Sequence, residues 1–97
     1  MKEVIQIANP NMSYGAVMGA IIFILSRAGH HIQKYSTSID VFGTSTLVSV
    51  CRNSSTDVSP WEWIASEVII TSPKTNPVSQ AIVSLIQKEL PTILVLG

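Results

Sequence analysis

Apolar residues along this chain fall into short runs and two helical stripes, and each spacing predicts its own element. Glu3 to Ala8, reading EVIQIA, is a β-prone run that Asn9-Pro10-Asn11 closes with turn chemistry. Beyond Ser13 comes YGAVMGAIIFILSRAG, long enough and rich enough in Ala, Leu and Met for a helix, with Ser13 or Asn11 as its N-cap and Gly29 as its stop. Apolar residues run almost all the way round this helix, so one face should pack on a sheet and another against something else.

His30 to Phe42 and Thr46 to Cys51 predict two strands joined by a Gly43-Thr44-Ser45 turn. Arg52 to Pro60 is polar and predicts an exposed loop, while Trp61 to Ser66 fits either a helical turn or an extended lead-in. Glu67 to Thr71 predicts a strand and Ser72 to Asn76 a polar loop, with Pro77 at the first helical position behind an Asn76 cap. Val78, Ala81, Ile82, Leu85 and Ile86 then repeat at helical spacing until Glu89-Leu90-Pro91, after which Thr92 to Leu96 predicts a last strand. The expected fold is one α/β domain over residues 1–97, a sandwich of about five strands in a mixed sheet with two main helices, either ferredoxin-like or a small open α/β sheet. Nearly continuous apolar strands such as EVII and ILVL call for a sheet buried on both faces, by the chain itself or by a partner.

Composition sharpens this picture. The chain of 97 residues is 46% hydrophobic but only 12% charged, against roughly 25% charged residues in an average soluble domain. Six Lys and Arg balance six Asp and Glu, so no field steers nucleic acid or an anionic membrane surface toward it. Apolar surface without a charged cover points instead to a homo-oligomer or a tight complex. The longest apolar stretch, Tyr14 to Leu25, is shorter than the roughly 17 to 25 residues that cross a bilayer as a helix. Lys2, Glu3, Gln6, Asn9 and Asn11 ahead of it do not make the layout of a signal peptide. A lone Cys51 rules out an intrachain disulfide and makes cytoplasm the default compartment.

The polar loops that lead into the two helices are the first candidates for a ligand site. If the strands before them were parallel, Asn9, Asn11 and Ser13 would gather with Lys74, Thr75 and Asn76 at the carboxyl ends of the strands, where unpaired N–H groups of helix N-termini face an anion. The same residue types also simply build turns and caps. Gly15 and Gly19, four apart on one helix face, would let another backbone approach closely, across an interface or within the domain. In an extended segment Trp61 and Trp63 would point to one side, as anchors for a partner or as core.

Catalytic and metal readings are weaker. Neighbouring His30 and His31 would diverge on a strand, and with Cys51 as the only thiol a four-ligand metal site within one chain is not expected. Arg52 next to Cys51 suggests an activated thiolate, but no base or orienting partner is placed beside it. Asp40, Asp57, Glu62, Glu67 and Glu89 are scattered without an acid-base pairing. The expectation is therefore no enzyme and no cofactor.

Val17 to Tyr35, VMGAIIFILSRAGHHIQKY, resembles the helix-to-strand segment of ACT domains, most closely over Leu25-Ser26-Arg27-Ala28-Gly29-His30-His31-Ile32. The stretch from Ile69 to Leu96 is similar to the last strand-helix-strand of such regulatory subunits. Tyr14-Gly15-Ala16 stands where that family has Pro-Gly, and an additional strand-like segment with Trp61-Glu62-Trp63 separates the matching halves. The resemblance implies a ferredoxin-like, non-catalytic protomer that pairs with others through sheets or helices and binds a small effector near the first helix-entry loop. The reading is thus a small-ligand-binding or regulatory homo-oligomer. The alternative is a protein-binding inhibitor or accessory subunit using Trp61, Trp63 and the Gly15/Gly19 face.

Overall fold

In the computed structural model, residues 1–7, 12–53 and 63–96 are described. The elements run β1 (Lys2–Gln6), α1 (Tyr14–Arg27), β2 (Ile32–Lys34), β3 (Ser38–Val41), β4 (Thr46–Asn53), β5 (Ile64–Thr71) and α2 (Pro77–Leu96). The strands form one sheet in the order β1-β5-β4-β3-β2. From β2 to β5 the chain is a meander of sequence neighbours, whereas α1 carries it from β1 at one edge to β2 at the other.

Of the two architectures expected, the small open α/β sheet is the one formed. All four strand pairs are antiparallel, where a mixed sheet was expected from a final strand-helix-strand unit. That unit is missing because residues 92–96 complete α2, which runs on through Pro91. Ile82, Val83, Ile86 and Leu90 are buried, and Ile93 and Leu94 extend the same stripe against the core at spacings of three and four. A proline inside a helix costs about 3 kcal/mol through its missing N–H and its clash one turn back, and burial of this stripe offsets it. The strand count is kept because the predicted His30–Phe42 strand divides into β2 and β3, closed by a Tyr35 N–H that donates to the Ser38 carbonyl at 2.7 Å.

Strand alternation decides where the core lies. Ile39, Val41, Val48, Val50, Val68 and Ile70 point to one face and are at most 3% exposed. On that face they meet Val17, Ile21, Ile24 and Leu25 of α1 and the buried stripe of α2, which lies alongside α1. The opposite face carries Lys2, Val4, Gln6, Leu47, Ser49, Cys51, Glu67, Ile69 and Thr71, none of them buried. The described residues therefore form two layers and bury only one face of the sheet.

Local chemistry sets the helix ends. Ser13 caps α1 by accepting from the Ala16 N–H at 3.4 Å. At the other end Gly29, with φ of +87°, takes the left-handed turn that glycine permits, while the Gly29 and His30 N–H groups donate to the Ser26 and Leu25 carbonyls. α2 opens as expected at Pro77, behind an Asn76 side chain that accepts from the Ser79 N–H at 2.8 Å. No helix among the described residues is long and apolar enough to cross a membrane.

Candidate functional site

The most chemically distinctive place in the fold is where α1 begins, and a strand irregularity creates it. β4 and β5 pair regularly from Leu47↔Thr71 to Cys51↔Glu67, then shift so that Arg52 faces Ala65 and Ser66 is left as an extra residue. Such a bulge changes which side chains of a strand face the core. Beyond it Ala65 is 2% exposed, and Trp63, two residues further, turns toward α1. Backbone bonds fix α1 to this strand end: the Tyr14 N–H donates to the Trp63 carbonyl and the Ala65 N–H to the Met12 carbonyl, both at 2.9 Å.

Three side chains then interlock. The Tyr14 and Trp63 rings meet edge to face, with centroids 5.3 Å apart at 82°. The Arg52 guanidinium carbon lies 3.6 Å from the centre of the Trp63 ring, a cation-π stack. The Tyr14 hydroxyl donates to the Ser36 carbonyl at 2.8 Å, tying α1 to the turn between β2 and β3. Burial pushes the Tyr14 phenol above its ordinary pKa, partly countered by Arg52, so it remains a protonated donor. Two donors in this group have no acceptor among the described residues: Arg52 Nη1 and Trp63 Nε1 are both shielded from solvent and without a hydrogen-bond partner there. Buried polar groups are nearly always paired, and an unpaired one costs about 1–3 kcal/mol.

Beside this group lies an open cavity of about 530 Å³. Met18, Gly19 and Ile22 of α1 form its apolar wall, Tyr14 and Trp63 its aromatic end, and Lys34 and Ser36 its polar rim. Among the described residues no acidic side chain lines it, and the first turn of α1 carries none, so none of them compensates the positive end of the helix dipole. Gly19 needs no smallness for the chain's own packing, because a Cβ on it would meet nothing within 4 Å.

No family model, curated protein or solved structure matches this chain.

Ser13 on one side and Lys74, Thr75 and Asn76 on the other, expected to share one ligand site, are not brought together. β1 and β5 are antiparallel, with Lys2 facing Thr71 and Gln6 facing Glu67, so the carboxyl ends of these two strands lie at opposite ends of the sheet. Asn9, Asn11 and Trp61 fall outside the described residues, as do Asp57 and Glu62. Ser13 sits at the head of α1, where its side chain is used as a cap.

At the far end Asn76 is used in the same way, since its N–H donates to Ser79 Oγ while its side chain takes the Ser79 N–H. Ser72 is buried with its hydroxyl donating to the Lys74 carbonyl at 2.7 Å. Lys74 and Thr75 are exposed and border a shallow hollow of about 650 Å³ with the Gly43–Ser45 turn. By contrast Gly15, Gly19 and Trp63, expected at an interface, all line the cavity at the head of α1.

Cys51 and Arg52 are separated rather than allied. The alternation of β4 puts Arg52 on the helix side, with Val48 and Val50, while Cys51 lies on the other face beside Glu67. Burial and then the Glu67 carboxylate push the Cys51 thiol above its ordinary pKa, so at neutral pH it is protonated and a poor nucleophile. Among the described residues no three His, Cys, Asp or Glu side chains gather to hold a metal ion.

Proposed function

We propose that this chain is a non-enzymatic binding protein whose cavity at the head of α1 takes a small anion carrying an apolar or planar body. The observation that carries the reading is the pair of shielded donors, Trp63 Nε1 and Arg52 Nη1, held in one stack with no acceptor among the described residues. Trp63 lines the cavity with Arg52 stacked on its ring, so a carboxylate or phosphate oxygen there would take the indole N–H in the field of the guanidinium, and Lys34 at the rim adds a second positive charge. Met18 and Ile22 give the rest of the ligand an apolar bed, in a volume within the roughly 300–1,000 Å³ of small-molecule sites. The ACT-domain resemblance implied an effector near the first helix, and this cavity lies there. Glycine at position 19 fits the same reading. Alanine there would meet no clash and would stabilise a helix by roughly 0.5–1 kcal/mol, yet it would narrow the cavity.

Titration of ¹⁵N-labelled protein with sodium benzoate tests this, with the Trp63 indole N–H signal identified by its loss in Trp63→Phe. Benzoate is expected to shift that signal and the Gly19 amide saturably. Gly19→Ala should raise the thermal midpoint by a few degrees while weakening benzoate binding several-fold. If benzoate moves neither signal, or binds Gly19→Ala as well as wild type, the cavity is not the site. Inorganic phosphate shifting the indole where benzoate does not would reject the apolar half of the reading.

A further inference from the structure

Among the described residues nothing covers the sheet face away from the helices, and its side chains fall into rows set by the strand register. One row runs Lys2–Thr71–Leu47–Asp40 across β1, β5, β4 and β3, and the next runs Val4–Ile69–Ser49–Ser38. Val4 is 42% and Leu47 37% exposed, with Ile69 half-buried between their strands. An antiparallel sheet tolerates water on one face when that face is polar, but this one sets Val4, Ile69 and Leu47 side by side across three neighbouring strands, and among the described residues its only positive charge, Lys2, lies in the edge strand.

We infer that this face binds a second copy of the chain, sheet against sheet, about a two-fold axis running along the strands between β5 and β4. That axis exchanges β5 with the partner's β4 and β1 with the partner's β3. Lys2 then lies opposite the partner's Asp40, and by symmetry Asp40 lies opposite the partner's Lys2. The other in-plane axis, across the strands, sets Lys2 opposite Gln6 and makes no such pairs. Charge complementarity thus selects both the occupant and the register. Strands about 4.8 Å apart and up to eight residues long present on the order of 500 Å² of projected face, so a stacked pair buries on the order of 1,000 Å², the threshold for a specific interface. Packing of two twisted sheets at roughly 30° is a standard arrangement. This inference is independent of the ligand site, which lies on the other side of the sheet.

Native mass spectrometry and sedimentation equilibrium of the full chain should show a dimer. Lys2→Glu and Asp40→Lys each turn two attractive pairs into two repulsive ones, and each should raise the dimer dissociation constant on the order of tenfold or more, an effect that shrinks in high salt. Mixing the two variants should restore association, because each then meets its complement across the interface. A monomeric wild-type protein overturns the inference, as does a dimer that both variants leave unchanged or that mixing fails to restore. Should a variant not fold, Leu47→Lys on the same face replaces it and must also break the dimer.

Discussion

Replacing Trp63 with Ala will dismantle the aromatic cluster while leaving the bulge and the rest of β5 in place. Ser66 is the extra residue between Glu67 and Ala65, and by absorbing one step of the alternation it lets Ala65 and Trp63 face the helices. The substitution removes the ring that Tyr14 meets edge to face and on which Arg52 stacks. Removing a fully buried tryptophan costs about 3–5 kcal/mol. Trp63 is half-buried, so a loss of about 2–3 kcal/mol and a fall in the thermal midpoint on the order of 10 °C are expected. Near-ultraviolet circular dichroism should show Tyr14 losing its packed surroundings. A Trp63→Ala variant with wild-type stability and an unchanged tyrosine signal would mean that the cluster does not hold the head of α1 to β5.

An equally large loss is expected from Ile21→Ala. Ile21 is fully buried at the middle of α1, between the sheet and α2. Truncating such a residue removes its transfer energy and leaves a cavity, about 2–5 kcal/mol against a total stability of about 5–15 kcal/mol. Urea unfolding should show a lower midpoint with an unchanged slope. Phe23→Ala, two residues away on the same helix but 53% exposed, should change stability by no more than about 0.5 kcal/mol. Equal effects of the two substitutions would contradict the placement of the core.

Elements defined by their own neighbours were legible in the sequence, and elements defined by a distant partner were not. The Gly29 stop and the Asn76-Pro77 start needed only the geometry of a few consecutive residues, and both stand as read. Pro91 was a correct local stop signal that tertiary burial overrode, because Leu90, Ile93 and Leu94 gain more as a continued stripe than the proline costs. Arg52 was assigned to an exposed loop on its polar neighbours, yet it belongs to β4 and stacks on Trp63.

No reading of one strand shows a bulge, since the extra residue exists only relative to the strand opposite. The site shares this character. Gly15, Gly19 and Trp63 were singled out individually, whereas Tyr14, Lys34, Ser36 and Arg52 join them only through the fold. The one sequence signal that could have found Tyr14 was an aromatic at the first helical position, directly after the cap.

The path of α1 across the sheet, from β1 at one edge to β2 at the other, also dictates an order of events as the chain folds. Closing the turn between Val41 and Thr46 brings together residues five apart, while docking β1 joins Gln6 to Glu67 across a separation of 61 residues. Loop entropy makes the longer closure roughly 2 kcal/mol harder. The meander and its covering helix therefore assemble first, and β1 is the strap that fastens last. Because Lys2 and Val4 lie on that strap, the sheet face away from the helices is complete only when the long closure has been made. A copy still short of β1 docking presents a different surface to its neighbour, so the fold completes its own contact face in its final step.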